Sequence, residues 1–319
     1  MYLLKLSNFE LSIEDFLLFC LSKNLSKKTI RSYEQTLKLF AQYLKQEFQI
    51  EKVEDVSKSH IRFYIKNLQE RGKYSVNTPY ARKDQGKSIS VNTINNYVRN
   101  IKVFFNWMSD EDEISKNPVE KIRLLKGSER LKPLLTNQEI NQILSAFDKT
   151  RFNGYRNYII TLLILDTGCR INECLNIEVN DIDLRSKAIA LKNTKNKKER
   201  LVFFSPKMKQ ELKRWLQYKD RYLTHDLLFP TNRGTKMLIT TYEHALRKIG
   251  NRHNIELFPH RLRACFAQYY LLNGGDLATL QRILGHSSLE VTKVYLQLDD
   301  ESVGRQYQRF SPLSNFDLE

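Results

Sequence analysis

Ile30, Tyr33, Leu37, Phe40 and Leu44 recur at steps of three and four residues, a spacing that lines up side chains on one face of an α-helix and scatters them on a strand. Ser26 stands where an N-cap belongs. Val91, Ile94, Val98, Ile101, Phe105 and Met108 repeat the pattern on a later helix, and shorter helical segments are predicted around Ile13–Leu21 and Ile61–Leu68. A helix with one apolar stripe must bury it against a partner, so these segments predict a small helical bundle whose stripes are core.

The bundle stops at Asn117-Pro118, and Leu131-Lys132-Pro133 opens a second domain. Between the prolines lie Lys121, Arg123, Lys126 and Arg130, so an extended basic linker is predicted over 118–133. The expected organisation is a helical domain over 1–117, that linker, and the second domain with a C-terminal tail over 134–319. The second domain reads as mixed. Helical patterns cover Asn137–Phe147 and Gly154–Asp166, and helices resume near Pro206, Thr240, Pro259, Asp276 and Ser288. Ile177–Val179, Ala188–Leu191 and Leu201–Phe204 read as short strands, the last two joined by a Lys- and Asn-rich hairpin connection. The fold class is therefore mainly α with a small β-sheet.

A surplus of 52 Lys and Arg over 36 Asp and Glu leaves a formal charge of +16, enough to draw in polyanions and speed their association. Nucleic acid is the expected partner. No membrane is expected: the longest apolar run, Tyr158 to Leu165, is about a third of a bilayer span. The N-terminus carries acidic residues soon after its apolar start and no small-residue cleavage site, which disfavours a signal peptide. Of four cysteines, Cys169 and Cys174 are near one another, and no paired C-x-x-C or Cys/His cluster suggests zinc. Reduced, buried thiols in a cytoplasmic protein are the expectation. The stretch Lys73 to Ser90 mixes turn formers with Lys73, Arg82, Lys83, Lys87, Tyr74 and Tyr80. It suits a loop along a phosphate backbone, and a plain solvated loop equally well.

Four segments of the second domain carry candidate chemistry. In Thr167-Gly168-Cys169-Arg170-Ile171-Asn172-Glu173, Gly168 closes one helix and Arg170 opens the next, where free backbone N–H groups also favour an anion. Taken alone, a surface arginine paired with Glu173 is the simpler account. Lys195 lies in the turn Asn193 to Arg200, where a lysine can reach into a groove and where solvated basic turns are also common. Pro259 starts a helix that puts His260 in its first turn, with Arg263 on the same face. An imidazole and a guanidinium so placed can bind one phosphate from two directions, or can be a structural pair. Finally, Gly285 is a helix stop, Ser287 and Glu290 match a capping box that starts a new helix, and His286 lies in the joint. Tyr295 lies on the new helix, 295 − 286 = 9 residues later.

In this order the segments resemble the tyrosine site-specific recombinases, the phage-type integrases: T-G-x-R, a lysine in a strand turn, H-x-x-R, L-G-H-S, then tyrosine nine residues on. The likeness runs from about Leu134 to the C-terminus, and the helical part, with Ser26-Lys27-Lys28-Thr29-Ile30-Arg31-Ser32-Tyr33, resembles the family's core DNA-binding domain. The resemblance implies an N-terminal helical core-binding domain plus a mixed α+β catalytic domain, the two gripping a half-site as a C-shaped clamp. It implies that Tyr295 attacks the scissile phosphate, leaving a 3′-phosphotyrosine and a free 5′-hydroxyl. Arg170 and Arg263 would then hold the non-bridging oxygens, His260 and His286 assist, and Lys195 protonate the leaving oxygen.

The chemistry asks for such a set. Making phenolate at pH 7 costs about 4 kcal/mol for an ordinary tyrosine unless proton transfer accompanies attack. Guanidinium groups match the charge spread over equatorial phosphate oxygens, and one such arginine is worth roughly 4–7 kcal/mol in other phosphoryl transfers. No metal and no nucleotide cofactor are expected. Lys27, Lys28, Arg31, Lys87 and Arg99 are the candidate DNA contacts. Expected partners are double-stranded DNA with a specific target site and copies of the same chain forming a tetramer in the synapse; the resemblance also allows an accessory directionality protein. The pattern departs from the family where Ala264 and Cys265 follow Arg263, in place of His or Arg and then a small hydroxyl residue. The chain begins close to its first core helix, so a separate arm-binding domain is not expected. A catalytically silent regulator on the same scaffold is the competing function; a type IB topoisomerase shares the chemistry but fits the lysine turn and L-G-H-S joint less well.

Overall fold

The computed structural model describes residues 8–73, 85–127, 133–192, 199–296, 304 and 307. The chain divides into two compact units, Met1–Glu129 and Arg130–Glu319. Among the described residues no helix is long and apolar enough to cross a membrane.

Among the described residues four helices build the first unit: α1 Asn8–Ser22, α2 Lys27–Phe48, α3 Lys58–Glu70 and α4 Val91–Asp110. Their starts are set by side chains that take up orphan backbone N–H groups. Ser26 accepts from the Thr29 N–H, Ser90 accepts from the Thr93 N–H, and Ser57 and His60 cap one another reciprocally. The stripes do become core: Leu37, Phe40, Leu44, Ile94, Val98, Ile101 and Phe105 are buried, while Ile30 and Tyr33 are half-buried at the edge and Val91 is exposed. Phe104, which the stripe on α4 left out, is fully buried and touches Phe9, Phe16 and Phe105 with ring centroids 6.0, 5.4 and 5.2 Å away. Helices α2 and α4 cross where Asn100 donates to the Ser32 carbonyl (3.2 Å) and the Thr36 hydroxyl (2.8 Å).

Part of the stretch expected as linker is packed into this unit. Val119 and Ile122 are buried in the aromatic core, Lys102 donates to the Ile122 carbonyl at 2.7 Å, and Asn95 clamps the Leu125 backbone from both sides. The apolar residues between the charged ones explain this: Val119, Ile122 and Leu125 recur every third residue, so one side of the segment has surface to bury.

The second unit is organised around α6 (Phe152–Thr167), whose Ile159, Ile160, Leu163 and Ile164 are fully buried. It packs against α8 (Pro206–Tyr222) and α10 (Pro259–Leu272). The other helices are α5 Asn137–Ser145, α7 Ile171–Cys174, α9 Ile239–Arg252, α11 Leu277–Leu284 and α12 Glu290–Lys293. A three-stranded antiparallel sheet runs β1 Ile182–Asp183, β2 Ala188–Leu191, β3 Arg200–Phe203, with Ile189 opposite Val202. The expected pairing of β2 and β3 therefore forms, and the connection between them lies outside the described residues. The strand expected at Ile177–Val179 does not form: the Asp181 carboxylate accepts from the Glu178 N–H and tightens Val179–Asp181 into a 3-10 turn, which displaces the first strand to Ile182–Asp183. Glu178 is extended all the same, in an isolated antiparallel bridge with Leu227, and the Ile177 carbonyl accepts from the Leu228 N–H.

The packing of Ile122 sets a test. Ile122→Ala should cost the first unit about 2 kcal/mol or more, as for other buried isoleucines, where a solvated linker residue would cost almost nothing. Urea unfolding followed by Trp107 fluorescence in a Trp215→Phe background reads that unit alone, since the chain has two tryptophans, one per unit.

Candidate active site

Two helices of the second unit end on glycine, and both ends face the same spot. Gly168 stops α6 at φ 64° and Gly285 stops α11 at φ 63°, left-handed positions that glycine takes without a side-chain clash. A Cβ on Gly168 would stand 2.3 Å from the Phe266 ring; one on Gly285 would stand 3.1 Å from the Arg200 guanidinium. These stops leave carbonyls with no partner in their own helix, and arginines take them. Arg263, on α10, donates from Nη1 to the Gly168 carbonyl and from Nη2 to the Leu284 carbonyl at 2.7 Å. Arg170 donates to the Gly285 carbonyl at 3.3 Å.

Arg170 is the N-cap of α7, where its own N–H donates to Glu173 at 2.8 Å and its guanidinium to the same carboxylate at 3.0 Å. The pairing that the sequence offered as the simple account of Arg170 is thus present, and it holds the arginine at the helix opening. Glu173 has a side chain 2% exposed and holds a second arginine: Arg200, on β3, meets it with two parallel bonds of 2.8 and 2.7 Å and donates from Nε to the Ile283 carbonyl. Burial pushes the Glu173 carboxyl upward, but the bonds from Arg200 and from the Arg170 N–H outweigh it and hold it below the ordinary carboxylate range. Removing one partner of such a buried cluster costs about 3–5 kcal/mol.

Sequence reasoning did not single out Arg200. The signal was present in the alternation of β3: residues two apart share a face, and Val202 is buried. Starting the strand at Leu201 hid its first residue.

His286 sits between Arg263 and α12. Its backbone is gripped by Gln281, which accepts from the His286 N–H and donates to its carbonyl. Its Nε2 is 3.1 Å from Arg263 Nη2 and its Nδ1 2.9 Å from the Thr292 hydroxyl. A guanidinium has no lone pair to offer, so Nε2 accepts and the proton lies on Nδ1. Burial, then the charges of Arg263, Arg170 and Arg200, pull the His286 pKa down to about 4. Arg263 is itself drawn down to about 10, by burial first and then by Arg170.

Tyr295 comes just after α12, its ring centroid 6.3 Å from that of His286 with an interplanar angle of 21°. It packs on the small cluster of Ala267, Leu271, Leu280 and Leu284. It also lines a cavity of about 320 Å³ with His260, Ala264, Cys265, Gln268, Val291 and Val294. His260 is exposed in the first turn of α10; desolvation by its neighbours and the charges of Arg263 and Arg170 lower its pKa. Arg170, His260, Arg263, His286 and Tyr295 are therefore brought together. Lys195 lies outside the described residues.

One expected detail is corrected. Ser287 and Glu290 form no capping box: α12 begins at Glu290 without a side-chain cap, and the Glu290 carboxylate pairs with Lys293 at 2.6 Å instead of reaching back. Lys27, Lys28, Arg31, Lys87 and Arg99 are all exposed on the first unit, Arg31 and Arg99 each next in sequence to a residue of the Ser32–Asn100 crossing. The four cysteines are free and buried. Among the described residues no group of three or more His, Cys, Asp or Glu could hold a metal ion.

The Phage integrase family pattern matches residues 133–302, more than half of the chain, and the N-terminal SAM-like domain of phage integrases matches residues 13–81. The chain belongs to the phage integrase family. This integrase-family chain is 26% identical over 300 residues to tyrosine recombinase XerC of Bacillus subtilis strain 168, covering 92% of this chain and 93% of that protein. It is 27% identical over 317 residues to tyrosine recombinase XerD of Staphylococcus haemolyticus strain JCSC1435, covering 95% and 99%. Its fold matches the integrase of transposon Tn1549 solved in complex with a circular intermediate DNA, with a TM-score of 0.75 and 19% identity over 95% of this chain and 99% of that one.

The His286 geometry gives a pH dependence with a definite sign. A histidine with a pKa near 6.5 when unfolded and about 4 when folded binds its proton more readily in the unfolded chain. Its contribution to stability is complete above pH 6.5 and is lost as the pH falls from there toward 4. Thermal unfolding between pH 7.5 and 5 should show this decline, and His286→Gln should flatten it.

Proposed function

We propose that this chain is a site-specific DNA recombinase that cuts and rejoins DNA through a covalent 3′-phosphotyrosine. The observation that carries the reading is the gathering of Arg170, Arg263, His286, His260 and Tyr295 around the two glycine-ended helices. In the proposed reaction the Tyr295 Oη forms a bond to the scissile phosphorus as the bond from phosphorus to the 5′-oxygen breaks. The phenolic proton passes to a base or solvent, and the leaving 5′-oxygen takes a proton from Lys195. Arg170 and Arg263 hold the non-bridging oxygens, since guanidinium groups fixed in place stabilise developing charge. A 5′-hydroxyl from a partner strand reverses the step, so the phosphodiester energy is retained and no nucleotide is consumed. Two arginines and a lysine supply the positive charge, and the two histidines, whose pKa values are both lowered, assist through hydrogen bonds.

The substrate is double-stranded DNA carrying a specific target site. The first unit contributes Lys27, Lys28, Arg31, Lys87 and Arg99 to its backbone. Recombination joins two duplexes, so four copies act in the synapse, with an accessory protein able to set direction, in the cytoplasm where the DNA is.

A nicked duplex carrying the target site, found by footprinting DNA from the gene's own neighbourhood, tests the reading. Wild type should accumulate a covalent adduct and Tyr295→Phe none; tight binding without adduct from wild type would make the chain a silent DNA-binding regulator. Affinity should also fall steeply with salt, with a log–log slope of about −0.9 for each phosphate neutralised, measured by fluorescence anisotropy. A flat response would remove the basic contacts from the scheme.

A further inference from the structure

We propose that Thr292 is a positioning residue that ties the proton on His286 to the seating of Tyr295; this rests on the recombinase reading above. Thr292 is 0% exposed and is the single buried residue of α12. Around it Leu289, Val291, Val294 and Leu296 are all exposed, 39–50% of each being open to solvent. The segment carrying Tyr295 is therefore anchored at Thr292. Its N–H donates to the Leu289 carbonyl at 2.8 Å, and its carbonyl accepts the Tyr295 N–H at 3.0 Å, so the same residue shapes the turn that presents the phenol.

The hydroxyl of Thr292 faces inward to His286 Nδ1. Because Arg263 can only donate to Nε2, the ring is neutral with its proton on Nδ1, and the Thr292 oxygen is the acceptor of that proton. The other charged groups facing His286 are Arg170 from the start of α7 and Arg200 from β3, both tied to Glu173, with the Tyr295 ring alongside. None of these arginines can accept a proton from the ring. While α12 is seated, His286 therefore offers Arg263 a lone pair and keeps the guanidinium aimed. When the segment lifts, Nδ1–H loses its acceptor, and once Arg263 turns its donor away from Nε2 the proton can move there. The imidazole then becomes a donor, available to a phosphate oxygen. Thr292 makes the histidine's role depend on where the tyrosine is.

Histidine-labelled full-length chain examined by nitrogen NMR tests this, with His286→Gln identifying the His286 signals. Wild type should show a protonated Nδ1 and an unprotonated Nε2. Thr292→Val, equal in shape but without the hydroxyl, should lose that signature and form adduct on the nicked duplex about 10-fold more slowly, the scale of one lost hydrogen bond. Thr292→Ser should restore both. A merely structural role would leave the ring's proton where it is in both threonine variants. A wild-type ring protonated on Nε2, or an unchanged signature in a folded Thr292→Val, overturns the proposal, and the wild-type spectrum decides even if the valine variant fails to fold. Absence of adduct from wild type, with the nitrogen signature as expected, would count against the recombinase reading alone.

Discussion

The Glu173 carboxylate, sealed from solvent, holds Arg170 on one side and Arg200 on the other, and much of the second unit's chemistry is arranged about it. Charge in such a place is costly unless every oxygen is met, and here two guanidinium groups and a backbone N–H meet them. The cluster joins three separate pieces of chain: the turn after α6, the first residue of β3 and, through the Arg200 bond to the Ile283 carbonyl, the end of α11. Fixing the carboxylate fixes Arg170, and fixing Arg200 brings Gly285 and His286 to it. The remaining cation, Arg263, is held by main-chain carbonyls in place of an acid.

The helices were legible because their signals are local. Ser26, Ser57 and Ser90 cap at the positions where the stripes begin, and Gly168 and Gly285 stop helices where a left-handed residue was required. The order of Arg170, His260, Arg263, His286 and Tyr295 along the chain was enough to nominate them, although a single sequence cannot measure the 3.1 Å between Arg263 and His286. What escaped depends on partners far away in sequence. Arg200 matters because of Glu173, 27 residues earlier, and Ile283, 83 residues later. The strand read at Ile177–Val179 gave way to a turn that one aspartate side chain closes. The missing box at Ser287 shows the same competition at short range, since Glu290 has a lysine one turn ahead and takes it.

The first unit shows how composition can mislead about packing. Lys121, Arg123 and Lys126 made 118–133 look solvated, yet Val119 and Ile122 beside them lie in the aromatic core. Charged side chains at intervals do not prevent burial when the apolar ones between them face the same way. Asn95 and Lys102 then satisfy the backbone of the buried segment from the side of α4.

The two glycine-ended helices carry a last consequence. Helix C-termini concentrate partial negative charge, and here a pair of them converges on Arg263, whose planar fork reaches Gly168 at one terminus and Leu284 at the other. An ammonium on a flexible stem has no such span and would settle at one end or the other. The guanidinium is thus a rivet between α6 and α11 as well as a charge, and the spacing of the helix ends is written into the shape of the side chain that bridges them.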